Sequence, residues 1–202
     1  PTARSSLAAF ATLAIGIAIP CQYLVRDLVP PGATQRSSIP QRIVDLNGVA
    51  VFVASAGHGQ ELWRSDGTAA GTWLLKDINP GTAASFPTEL TVAGNIVYFK
   101  ASVPGLGQEL WRTDGTAAGT FLLRDGIVGD GAGAPANMAA FGSFLYFSAN
   151  DGTNGLELWR TDGTVAGTAM FVDLNPGAPG GNPARFAVGG GALFFTATQA
   201  AT

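Results

Sequence analysis

Residues 109–125 read ELWRTDGTAAGTFLLRD, and nearly the same string stands at 61–77 (ELWRSDGTAAGTWLLKD) and at 157–173 (ELWRTDGTVAGTAMFVD). The leading glutamates, Glu61, Glu109 and Glu157, are 48 residues apart both times. A fixed period of that size belongs to stacked supersecondary units, each unable to bury its own apolar surface alone.

Working outward from the motif, each unit divides into four strands by alternation and turn chemistry. In the second unit these are 89–93, closed by Gly94-Asn95, then 96–102 (IVYFKAS), 108–113 and 120–125. Phe52, Phe99, Phe147 and Phe195 fall at equivalent second-strand positions, at intervals of 47, 48 and 48. The missing residue is expected between repeats or in a loop, because a slip inside a strand would turn its apolar set to the wrong face. Both faces of each sheet are apolar. Val97, Phe99 and Ala101 point one way, Ile96, Tyr98 and Lys100 the other, and Leu62 and Trp63 likewise oppose each other. Such a sheet is marginal in water until neighbours cover it. Trp63, Trp111 and Trp159 are therefore expected to hold sheet to sheet.

Four short antiparallel strands in 48 residues match a β-propeller blade. A β-solenoid is the second choice, and its coils are usually shorter and lack paired hairpins. The fold expected is all-β: a β-propeller-like array of four-stranded antiparallel blades, about three and a half of them, forming an open arc. Residues 41–82, 83–134 and 135–182 make three blades, and 183–202 begin a truncated fourth. Residues 21–40 hold the last strand of a partial blade (22–27, QYLVRD) and a linker. The chain stops before a fourth ELW is due, so it reads as part of a longer array, with exposed strand edges that favour self-association.

Charged residues are only 12% of the 202 and Gly numbers 28, which suits buried strands and tight turns rather than disorder. A net charge of −3 offers no basic patch for phosphates, so no nucleic-acid partner is expected. One Cys excludes an internal disulfide and a Cys-based zinc site. Residues 1–20 place one Arg before an apolar run at 7–19, the length of a signal-peptide core and too short to span a bilayer. A secretory leader ending after Ala18 is the favoured reading. A lipid-bearing Cys21, after Pro20, is less favoured, as is a degenerate hairpin. Localisation outside the cytoplasm follows.

The three motif copies resemble the ELWxxDGT repeat family of bacterial surface or secreted proteins, over roughly residue 22 to the end. That resemblance implies a propeller-like array outside the cytoplasm, with no enzymatic activity attached. Three motifs are fewer than a closed propeller normally has. The turn is also loosely similar to the Asp-box of sialidase-type propellers, although Asp66 lies too far from Gly71 to match its spacing. Physically, Asp and Thr side chains bond nearby backbone N–H groups and Gly accepts positive φ. Asp66, Asp114 and Asp162, with Gly67, Gly115 and Gly163 and with Thr68, Thr116 and Thr164, are thus read as turn braces rather than Ca²⁺ ligands. Asp27, Asp77, Asp125 and Asp173, at the ends of fourth strands, are read as turn initiators.

The glutamates invite an acid–base reading with Arg64, Arg112 and Arg160, but a catalytic pair needs carboxylates in unlike environments. The expectation is instead a ladder of ion pairs, Glu of one blade to Arg of an adjacent blade, with solvated surface charge as the plain alternative. Irregular loops are where function is grafted on repeats. The loop 148–155 (SANDGTNG) gathers Asn150, Asp151, Thr153 and Asn154 and is the one low-ranked candidate for a cation such as Ca²⁺, or for a sugar hydroxyl. His58 is read as a flexible surface residue. No catalytic triad can be drawn, and the glycines at 129–135 open no helix to cradle phosphate. No catalytic residue and no cofactor are expected. The reading is a non-enzymatic scaffold or binding module for a protein or carbohydrate. The alternative is a propeller-framed hydrolase of glycosidase or sialidase type, marked by a lone buried Glu with Tyr or Arg on the axis.

Overall fold

Each unit opens with a hairpin whose two-residue turn sets its register. Asn47-Gly48 has positive φ at both residues (54° and 84°), as does Gly190-Gly191 (57° and 76°), while Gly94 (59°) and Gly142 (60°) supply it at the first position only. These are the primed turns whose twist matches that of paired strands. The computed structural model describes residues 38–126, 133, 135–177 and 179–199. The leader at 1–20, Cys21, the strand at 22–27 and most of 129–135 lie outside the described residues.

The first sheet comprises β1 (Gln41–Leu46), β2 (Val49–Ser55), β3 (Gln60–Ser65) and β4 (Trp73–Lys76). The second comprises β5 (Thr88–Ala93), β6 (Ile96–Val103), β7 (Gly107–Thr113) and β8 (Phe121–Arg124), and the third β9 (Ala136–Phe141), β10 (Phe144–Asn150), β11 (Leu156–Thr161) and β12 (Ala169–Val172). A fourth holds β13 (Ala184–Gly189) and β14 (Ala192–Thr196). Strands pair antiparallel in chain order within every sheet, and no pairing joins one sheet to another among the described residues. The described residues therefore form an all-β, propeller-like open array of three four-stranded blades and a two-stranded sheet after them. No helix among the described residues is long and apolar enough to cross a membrane.

Trp111 and Trp159 sit in the seams between sheets, whereas Trp63 packs on Phe52, Ala54 and Ala56 of its own sheet. Trp111 shares one buried cluster with Val51, Val53, Leu62 and Leu75 of the first sheet, and Trp159 another with Tyr98, Leu110 and Leu123 of the second. Each indole thus faces the preceding blade, and Leu62 and Leu110, one residue earlier, face the following one. Burying an indole removes about 150–250 Å² from water, worth at most about 4–6 kcal/mol. Arg124 adds a cation–π contact, its guanidinium carbon 4.3 Å from the Trp159 ring centre.

The phenylalanines fall opposite the tryptophans in every complete sheet: Phe52 faces Trp63, Phe99 faces Trp111 and Phe147 faces Trp159. The missing residue lies in the loop after β2, since Ser55 pairs with Gln60 where Ser102 pairs with Gln108. The strands keep their facing intact. First strands of successive sheets lie beside one another and form the inner edge of the array.

Candidate functional site

The DGTxxGT turn is a closed set of local hydrogen bonds. Asp66 Oδ1 accepts from the Thr68 N–H at 2.9 Å and the Thr68 hydroxyl at 2.7 Å, and Thr68 Oγ1 accepts from the Gly71 N–H at 2.9 Å. The Thr72 hydroxyl donates back to the Thr68 carbonyl at 2.7 Å. The same bonds recur around Asp114 with Thr116 and around Asp162 with Thr164. The threonine hydroxyls, then their N–H groups, hold the Asp66 and Asp162 carboxyls below their ordinary range. At Asp114 burial is the largest influence and pushes upward, but the Thr116 bonds and Arg112 outweigh it. Gly67, Gly115 and Gly163 take φ of 87°, 86° and 91°, as the turn requires. Gly71, Gly119 and Gly167 are needed for another reason: a Cβ there would stand 1.9–2.1 Å from the aspartate carboxylate.

The glutamates are not solvated and do not meet the arginines. Glu61, Glu109 and Glu157 are at most 2% exposed, and no ion pair joins any of them to an arginine among the described residues. Each carboxylate instead accepts two backbone N–H groups, 17 and 24 residues further on: Ile78 and Ser85, Gly126 and Gly133, Leu174 and Gly181. The Ser85 hydroxyl adds a third bond to Glu61, at 2.6 Å.

The second donor of each pair already belongs to the next blade. The carbonyls of Ser85, Gly133 and Gly181 accept the N–H groups of Ser102, Asn150 and Thr198, which lie on or just after the next blade's second strand. Glu therefore does tie one blade to the next, as the ladder supposed, but through backbone rather than through Arg. Burial pushes the Glu61 and Glu109 carboxyls up, against the pull of these N–H groups.

The arginines cross the seam to a carbonyl. Arg64 Nη1 donates to the Gly115 carbonyl at 3.1 Å, and Arg112 Nη1 to that of Gly163 at 3.0 Å. The turns of the second and third blades are thereby pinned on the blade before them.

The loop at 148–155 satisfies its own polar groups. Asp151 Oδ1 accepts from the Thr153 and Asn154 N–H groups, Oδ2 from the Asn154 side chain, and Asn150 Oδ1 from the Gly152 N–H. The Asn154 N–H is the chief cause of the lowered Asp151 pKa. His58 is exposed but held, with Nδ1 3.1 Å from Asp77 Oδ2. Asp77 also accepts from the Gly81 N–H at 3.3 Å, as a turn initiator should. Among the described residues no three His, Cys, Asp or Glu side chains gather as a metal site.

A hollow between the second and third sheets is bounded by Glu109, Arg124, Gly133 and Phe147, with a cavity volume of about 10 Å³, room for one water at most. That is under the roughly 300–1,000 Å³ of small-molecule sites, and the Glu109 oxygens facing it are already engaged.

What the sequence did not announce is a bulge in every first strand. Arg42, Glu89, Asn137 and Arg185 hold φ of 53°, 54°, 53° and 57°, and the register of each first hairpin shifts there. Non-glycine residues rarely adopt this conformation. The position recurs with the repeat while its side chain changes. Glu89 pairs with Lys100 at 2.7 Å and Asn137 donates to the Ser148 hydroxyl at 3.1 Å, whereas Arg42 and Arg185 are exposed. Compared with protein-family models and with curated proteins, the chain matches none.

Proposed function

We propose that this chain is a non-enzymatic, extracellular β-propeller-like module of the ELWxxDGT kind, a scaffold that displays a binding surface for a protein or carbohydrate. The observation that carries the reading is the fate of the repeated glutamates: both oxygens of each are taken by backbone N–H groups, so these carboxylates serve the frame rather than proton transfer. The recurring glutamates, with Arg64 and Arg112, fasten blades together, and the recurring aspartates and threonines close the turns. The variable ones, Arg42, Glu89, Asn137 and Arg185, line the inner edge on bulges, where a ligand is read without disturbing the frame. The secreted setting rests on the apolar leader and the family resemblance.

The test is binding of the chain to panels of surface proteins and glycans, repeated with all four bulge residues changed to Ala. Loss of a bound ligand in that variant, with an unchanged melting curve, supports the module. Turnover of a glycoside substrate that disappears in Glu109→Gln contradicts it.

A further inference from the structure

A proline recurs just ahead of each first strand, at Pro40, Pro87, Pro135 and Pro183. Pro87, Pro135 and Pro183 are buried. The residue before the proline takes positive φ at Ile39 (42°), Phe86 (50°) and Asn182 (49°), and the bulge two residues after it does so again at Arg42, Glu89, Asn137 and Arg185. Glycine would hold any of these positions with less strain. Each keeps a side chain instead, and strained non-glycine backbone concentrates where ligands are held.

First strands stand side by side along the inner edge, so the array offers one such position per blade. Glu89 is neutralised by Lys100, 2.7 Å away. Asn137 is uncharged, and its amide nitrogen donates to the Ser148 hydroxyl and to the Pro183 carbonyl at the entry to the next blade. Arg42 and Arg185 have no ion pair among the described residues. The one other charge on the four first strands is Asp45, near the opposite end of β1, where it accepts the Gly48 N–H at 3.0 Å. The bulge row is therefore cationic, on a chain of net charge −3. At the entry to β5, Phe86 is 56% exposed although the residues on either side of it, Ser85 and Pro87, are buried.

We infer that this edge binds an acidic carbohydrate, a chain of sugar rings that carries carboxylates. A guanidinium grips a carboxylate through two parallel N–H bonds. Planar Asn and Glu side chains bond sugar hydroxyls, and an aromatic ring presents its face to the C–H side of a sugar. Positions repeated once per blade suit a ligand that repeats as well, because several weak contacts along one polymer reinforce each other through effective concentration. The inference rests on the proposal that the bulges form the ligand surface, and narrows that surface to one class of ligand.

The test is calorimetric titration of the chain with an oligogalacturonate, beside its methyl-esterified form, which has the same rings without the charges. Saturable binding of the acid is expected, with the ester weaker by roughly tenfold or more. Arg42→Asn and Arg185→Asn together should weaken the acid's binding by roughly tenfold or more, and Phe86→Asn likewise. Asn137 and Asn182 already hold these two conformations, so the Asn variants should melt as the parent does. The inference is overturned by absence of saturable binding, by equal binding of the ester, or by undiminished binding in the double Asn variant. Equal affinity for a polyglutamate peptide assigns the edge to acidic peptides and overturns it too. A neutral glycan or a surface protein that binds, and is lost when all four bulge residues become Ala, overturns the acidic-sugar inference alone if the oligogalacturonate stays unbound; the module reading then stands.

Discussion

Arg112 in β7 donates its Nη1–H to the carbonyl of Gly163, 3.0 Å away in the turn that follows β11. The turn of one blade is thus seated on the previous blade, and its glycine has no room for a side chain. A Cβ on Gly163 would meet Ile96 Cδ1 at 2.4 Å and Tyr98 Oη at 2.8 Å, with φ at +91°. Gly67 has nearly the same φ, +87°, and nothing within 4 Å. Gly163→Ala is expected to cost about 2–5 kcal/mol, from backbone strain and overpacking together, and Gly67→Ala about 1–2 kcal/mol from strain alone. Urea midpoints of the two variants measure the difference, and equal losses would count against the seated turn.

Trp111 is the insert of the first seam. Its truncation to Ala leaves a cavity against Leu62 and Leu75 and should cost about 3–5 kcal/mol. Because stacked repeats are coupled through their nearest neighbours, the loss should also separate the first blade's unfolding from the rest. A second, lower transition on calorimetry is the expected sign. A single unshifted peak means that the indole is not structural.

Removing one acceptor of the blade-to-blade staple should be nearly as costly. In Glu109→Gln the amide NH₂ faces a backbone N–H, so Gly126 or Gly133 is left unpaired in a buried site. A loss of about 1–3 kcal/mol is expected, without change in the strands themselves. Chemical denaturation beside far-ultraviolet dichroism checks both halves.

The carboxylates divide into two groups with opposite pH behaviour. Asp66, Asp114, Asp151 and Asp162 titrate below their ordinary 3.8 in the folded chain. Their stabilisation is present above that value and is lost as pH falls through the folded pKa. Glu61 and Glu109 titrate above their ordinary 4.5. They bind protons more tightly folded than unfolded, so their contribution is full below 4.5 and is lost as pH rises through the folded pKa. Changing Asp66, Asp114 and Asp162 together to Asn should flatten the acid limb of a stability–pH curve. Changing Glu61 and Glu109 to Gln should remove the decline on its other side. A triple Asn variant that keeps the full acid limb would refute the assignment.

Much of this was legible because periodicity carries it. The 48-residue interval, the apolar character of both faces of IVYFKAS and the Gly-bearing two-residue turns specify strands, register and stacking before any contact is known. The observed β5 to β8 lie within about a residue of the boundaries read from alternation, as strand ends allow. The glutamate staple was not legible because its partners are main-chain groups. Ile78, Gly126 and Leu174 share no side chain, and a backbone N–H leaves no mark in a sequence. Likewise nothing in Arg42 or Glu89 signals a left-handed backbone, which is usually read from Gly or Asn. The second glycine of the turn was visible, but its reason, the aspartate lying against it, needed coordinates.

The central claim is that the motif's glutamates fasten each blade to the next. Native-state hydrogen exchange of six amides, those of Ile78, Ser85, Gly126, Gly133, Leu174 and Gly181, tests it directly. They should be protected like strand amides although they lie in connections, and Glu109→Gln should release Gly126 and Gly133 first. Exchange of all six at loop rates in the unmodified chain would contradict the account.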